Sequence, residues 1–211
     1  MPKRAILTLI FIFMLALSGG PAMATEEPVF KLGLKQGAFE VRDYPALVVA
    51  EVTVGGDREQ ASNAGFRLLA GYIFGGNTRQ QSIPMTAPVV QGRPAGEQIP
   101  MTAPVTQSAA GDAWVVRFVM PAGSVESEMP TPTDARVKLR TLAATRYAVV
   151  RFSGVAGEKD VAEKTSQLDA FITKHQLQAN GPPLLARYDP PWTPWFMRRN
   201  EVMRALEVKP P

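Results

Sequence analysis

The chemistry open to this chain is set first by what it lacks. Its 211 residues hold no cysteine and one histidine, His175. Without cysteine there are no disulfides, thiolate zinc sites, iron–sulfur clusters or cysteine nucleophiles. One histidine excludes sites that need two, such as a His-x-x-x-His zinc helix or a two-histidine iron site. A Ser–His–Asp triad would have to use His175, and no Gly-x-Ser-x-Gly elbow precedes a helix. The carboxylate pairs Glu26/Glu27 and Glu126/Glu128 lie in polar stretches, where solvated charge is the expected state. Asp43, between Arg42 and Tyr44, is the acid whose neighbours best suit tuning. Catalysis is therefore the least favoured class. Binding chemistry fares better. The loop Asp189-Pro-Pro-Trp192-Thr-Pro-Trp195-Phe196 places two tryptophans among prolines, just before Arg198 and Arg199. Such a loop is hard to bury completely. Methionines 85, 101, 120 and 197 offer soft sulfur, although methionine more often fills core gaps.

The elements that would position these residues read as α+β with many short strands. Phe39, Val41 and Leu47 to Val54 predict strands broken at Asp43-Tyr44-Pro45. Asp57 can cap a helix running to about Phe74. Its stripe is Ala61, Ala64/Gly65, Leu68 and Tyr72, widened by Phe66, Leu69 and Ile73, and Gly75-Gly76-Asn77 ends it. Ile83 to Gln91 (IPMTAPVVQ) repeats as Ile99 to Gln107 (IPMTAPVTQ), eight of nine positions identical. Two prolines per copy predict extended, edge-like segments that set curvature. Trp114 to Met120, Arg136 to Arg140 and Tyr147 to Phe152 predict strands. Glu158 to about Gln176 predicts an amphipathic helix with Val161, Thr165, Leu168, Ile172 and His175 on one face. Leu184 to Tyr188 and Glu201 to Leu206 close the set. The order suggests two βαββ-like halves around one core, and no linker divides them.

Residues 1–24 read as a secretory signal. Lys3 and Arg4 precede the apolar run Ile6 to Leu17, and Ala22-Met23-Ala24 makes an A-x-A site. The run is short for a bilayer span. The expected organisation is a signal peptide over 1–24 and a single domain over 25–211. Removing Lys3 and Arg4 lowers the net charge from +4 to +2. Beyond them no Lys/Arg run exceeds two, so no nucleic-acid partner is expected. The reading is an exported bacterial protein, periplasmic or secreted, monomeric and without a stable membrane anchor.

An ordered set of motifs then carries a family resemblance. It comprises Phe39-Glu-Val-Arg-Asp-Tyr44, Phe66-x-x-Leu69-x-x-Tyr72-Ile73, Met85-Thr-Ala-Pro-Val89 and Trp114 to Pro121. It continues through Pro130-x-Pro132-x-Asp134-x-x-Val137-x-Leu139-Arg140 and Tyr188-Asp-Pro-Pro191 to Arg198-Arg-Asn-Glu201. The chain resembles the SOUL/haem-binding-protein family over about residues 29–207. The resemblance implies a distorted eight-stranded antiparallel β-barrel flanked by two long helices. It also implies non-covalent binding of haem or a related porphyrin, for sequestration or transfer, in an apolar cleft between the first helix and the 188–199 loop.

A porphyrin is a flat apolar disc with carboxylates at one edge, so it needs apolar walls and cations at the rim. Phe66, Leu69 and Ile73 are the candidate helix wall. Tyr188, Trp192, Trp195 and Phe196 are the candidate loop face, with Arg67, Arg198 and Arg199 as cations. Some family members carry histidine where this chain has Asp43. His175, near a helix C-terminus that favours it for structural reasons, is the minor candidate ligand. Recognition without an axial protein ligand is the expected mode. The alternative is a receptor for amphipathic small molecules, since the architecture also resembles effector-binding domains of bacterial regulators.

Overall fold

The computed structural model describes residues 26–93, 113–189 and 192–207. The segment expected to be a signal peptide and the second IPMTAPV copy lie outside these residues. Nine strands form one sheet: β1 (Lys31–Gln36), β2 (Phe39–Tyr44), β3 (Leu47–Gly55), β4 (Val89–Gly92), β5 (Ala113–Val119), β6 (Lys138–Leu142), β7 (Thr145–Ser153), β8 (Ala179–Arg187) and β9 (Arg199–Leu206). Two helices, α1 (Arg58–Ile73) and α2 (Glu158–Lys174), complete the α+β fold. The spatial order is β1-β2-β7-β9-β8-β4-β5-β3-β6, and every neighbouring pair is antiparallel.

This corrects the expected closed barrel of eight strands. The sheet is open, with β1 and β6 as its edges. The extra strand, β1, is the polar stretch KLGLKQ, which is mostly exposed. Its apolar alternation is one pair, Leu32 and Leu34, too short to announce a strand. The IPMTAPV segment is corrected as well. Only the residues after Pro88 enter the ladder, and β4 sits in the middle of the sheet between β8 and β5. The prolines stay outside the hydrogen-bonded stretch, which is how a proline-rich segment can feed a central strand.

The two halves are units of strand, helix, strand, strand: β3-α1-β4-β5 and β7-α2-β8-β9. They meet where β4 pairs with β8. Both helices cover the same face. Phe39, Val150, Val202, Leu185, Gln91, Val116 and Val52 are successive cross-strand partners, so all seven point to one side. Val150, Leu185 and Val202 pack with Val161, Leu168 and Ile172 of α2. Val52 and Val116 pack with Leu69, Tyr72 and Ile73 of α1.

Local chemistry fixes both helices. The Asp57 side chain accepts from the Gln60 backbone N–H at 2.8 Å, an N-cap. Gly75 follows the last turn with φ of 108°, a conformation that suits glycine. At Gly65 the helix lies so close to β5 that an added Cβ would stand 2.6 Å from a methyl of Val116. The helix-free face is covered partly by the N-terminal segment: Phe30 packs on Tyr44 with ring centres 5.3 Å apart.

Candidate functional site

The strand β8 ends at Arg187 and β9 begins at Arg199; of the loop between them residues 188, 189 and 192–198 are described. The stem of this loop is pinned. The Tyr188 N–H donates to the Arg199 carbonyl at 3.2 Å, the Arg199 N–H donates to Asp189 Oδ2 at 2.6 Å, and Arg198 Nε donates to the Thr193 carbonyl at 2.7 Å. Its tip is apolar and bare: Trp192 is 83% exposed, and Trp195, Phe196 and Met197 are 61–65% exposed. Trp195 and Phe196 meet edge to face, 5.7 Å between centres. Four large apolar side chains on a fixed stem form the kind of patch that soluble proteins keep for a ligand or partner.

The groove beside the tip differs from the expected one. An open groove of about 370 Å³ is lined by Trp195, by Phe152 to Val155 at the end of β7, and by Asp160, Glu163 and Lys164 in the first turns of α2. Of the candidate helix wall, Leu69 and Ile73 are fully buried in the core under α1 and offer no surface. Phe66 is half-buried against Phe118, 5.3 Å between ring centres. Arg67 is exposed on α1. Period alone marked an apolar stripe on α1 but not which members the sheet would take.

Tyr188 and Arg199 belong to a different constellation, on the helix-free face. Arg42 donates to Glu201 at 2.8 and 3.0 Å, and Tyr188 Oη donates to Glu201 at 2.7 Å. Arg199 pairs with Glu201 at 2.9 Å and with Glu27 at 2.9 Å. Burial alone would raise the Glu201 carboxyl, but the hydrogen bonds from Arg42 and Tyr188 and the charge of Arg199 hold it below the usual range. Burial and the Glu201 charge push the Tyr188 hydroxyl upward. Every group here is spoken for, as a structural network should be. Asp43 likewise is held low by Arg146, its partner at 2.6 Å.

His175 caps the far end of α2, its Nε2 3.1 Å from Gln36 Oε1. The groove meets α2 at Asp160 to Lys164. At 1.5 Å per residue the helix separates the two by roughly 20 Å, so His175 cannot reach a ligand at the loop. Met120 is core, whereas Met197 is exposed on the loop tip; Met101 lies outside the described residues. Glu201 stands in the sequence only as the end of the Arg198-Arg-Asn-Glu201 motif and the start of a strand; nothing in RNEVMRAL singles it out as a buried charge. Arg187, two residues after buried Leu185 on β8, was missed for the same reason.

The SOUL heme-binding protein family matches residues 25–205. The chain belongs to the SOUL haem-binding family. The match runs from before β1, through both helices, into β9. Heme-binding protein 1 of Xenopus laevis is 26% identical over 172 residues, covering 81% of this chain and 85% of that protein. Among solved structures, the EcmrR C-terminal domain aligns with a TM-score of 0.51 at 10% identity, over 85% of this SOUL chain and 98% of that one. A hydrolase from Listeria innocua aligns with a TM-score of 0.53 at 12% identity, over 80% and 91%. These two likenesses show a shared fold.

Proposed function

We propose that this SOUL-family protein is a non-enzymatic binder of haem or a related tetrapyrrole, used for sequestration or transfer. The observation that carries the reading is the aromatic loop tip, bare at Trp192, Trp195 and Phe196 on a hydrogen-bonded stem. The residues fit the group. Flat apolar walls suit the macrocycle face. Arg198 supplies a cation for its carboxylates. Asp160 and Glu163 line the α2 side of the groove and repel an acidic edge, so the carboxylates turn the other way, toward β8 and α1. No histidine stands at the loop, so recognition rests on packing and charge.

A receptor for amphipathic small molecules, lipophilic cations among them, is the weaker reading. The buried acid that would attract such a cation, Glu201, already holds Arg42 and Arg199. Export is proposed from the cationic, apolar, A-x-A pattern of residues 1–24, and the mass of the purified secreted chain tests it.

The test of the binding reading compares haemin with metal-free protoporphyrin. Affinities equal within about threefold support packing-controlled recognition. A preference for haemin above about a hundredfold would show that an iron ligand dominates.

A further inference from the structure

At the N-terminal end of α1 two arginines, Arg58 and Arg187, bring more positive charge than their neighbours neutralise. The floor under this end is β4 and β8, where Val89 pairs with Arg187 and Gln91 with Leu185. Gln91 Nε2 donates to the Arg58 carbonyl at 2.8 Å, which ties the first residue of α1 to this floor. Arg187 Nη1 donates to Ser62 Oγ on α1 at 2.9 Å. The Arg58 guanidinium lies 4.6 Å from the centre of the Trp114 ring. Among the described residues, neither Arg58 nor Arg187 has a carboxylate within 4.0 Å.

Two half-buried cations without an anion are costly. Both guanidiniums are held below their ordinary range, Arg58 by burial and Arg93, Arg187 by burial, Arg58 and Arg198. Glu158 and Glu59 act on them only through space, and both are exposed. Two further groups wait for a partner: Arg58 Nε and Gln91 Oε1 are buried with none, Gln91 being 2% exposed. One donor and one acceptor left unmade at one place point to a missing occupant.

We infer that Arg58 and Arg187, beside Gln91, form a seat for the carboxylate edge of the bound ligand. This rests on the tetrapyrrole reading and says where its acidic edge goes. The planar fork of each guanidinium matches a carboxylate, and Gln91 Oε1 takes a hydrogen from a water that arrives with it.

The test uses haemin and haemin dimethyl ester, which lacks the charges, against the wild type and Arg187→Gln. Haemin affinity should fall about tenfold in the variant while the ester changes less than about twofold. Removing an uncompensated cation should leave the ligand-free melting temperature no lower than wild type; Arg58→Gln serves if Arg187→Gln does not fold. Equal losses for acid and ester would overturn the seat and leave the tetrapyrrole reading standing. If neither porphyrin binds the wild type, the tetrapyrrole reading falls, and succinate decides the seat alone. A succinate-dependent rise in melting temperature that Arg187→Gln abolishes supports it; no rise, or the same rise in both, overturns it.

Discussion

Arg42 and Glu201 stand 159 residues apart in the chain and meet through two hydrogen bonds of 2.8 and 3.0 Å, with at most 3% of either side chain exposed. Arg42 on β2 reaches Glu201 on β9 across the intervening β7, so the pair ties one edge region of the open sheet to its middle. Breaking one partner strands a buried charge. Glu201→Gln should therefore lower stability by about 3–5 kcal/mol. The double variant Arg42→Met/Glu201→Leu should lose less than the sum of the single changes. Urea denaturation of the wild type, Glu201→Gln, the single variants Arg42→Met and Glu201→Leu, and the double variant reads both values.

The same network gives a pH dependence. Glu201 titrates lower in the folded than in the unfolded chain. Its contribution is thus fully present above the unfolded carboxyl value, about 4.3, and is lost as pH falls through the folded one. Melting temperature should hold to about pH 5 and drop below about pH 4. Glu201→Gln should show a smaller drop over that range. Tyr188, raised by burial and Glu201, acts at the other end: its contribution is lost as pH climbs past about 10.

Helix packing makes a third prediction. Alanine is a better helix former than glycine by about 1 kcal/mol. At position 65, however, its Cβ would sit 2.6 and 2.7 Å from Cγ2 and Cβ of Val116. A branched side chain on a central strand cannot swing away, so overpacking should win, and Gly65→Ala should cost about 1–3 kcal/mol. Thermal or urea unfolding measures it. A net gain in stability would show that α1 stands farther from β5.

For the ligand, the loop and His175 should separate cleanly. Trp195→Ser removes an exposed aromatic and should weaken haemin binding about 5- to 20-fold, with stability changed by less than about 0.5 kcal/mol. His175→Ala, roughly 20 Å away along α2, should leave the bound spectrum and affinity unchanged. Absorbance titration checks both variants.

Much of this fold was legible in the residues. Asp57 marked the start of α1, and the apolar, β-branched runs Trp114 to Val119 and Tyr147 to Phe152 marked β5 and β7. The βαββ repeat was visible as element order. Sheet closure was not, because it depends on whether β1 and β6 pair with each other, and neither strand carries a pattern that says so. At the site, the loop aromatics stood out because prolines surround them. The helix wall misled: Phe66, Leu69 and Ile73 share a stripe, yet the sheet takes Leu69 and Ile73 completely. Arg58 and Arg187 come together only through the pairing of β4 with β8, a contact about 95 residues apart in the chain that no local period encodes.

The most direct measurement is a titration of the purified protein with haemin, following the Soret band and tryptophan fluorescence together. A shifted band and quenched emission that both saturate near one equivalent are the predicted result, with Trp192 and Trp195 as the emitters at the loop. A free-haemin spectrum that grows without saturation, with emission falling only in proportion to added absorbance, would contradict tetrapyrrole binding by this chain.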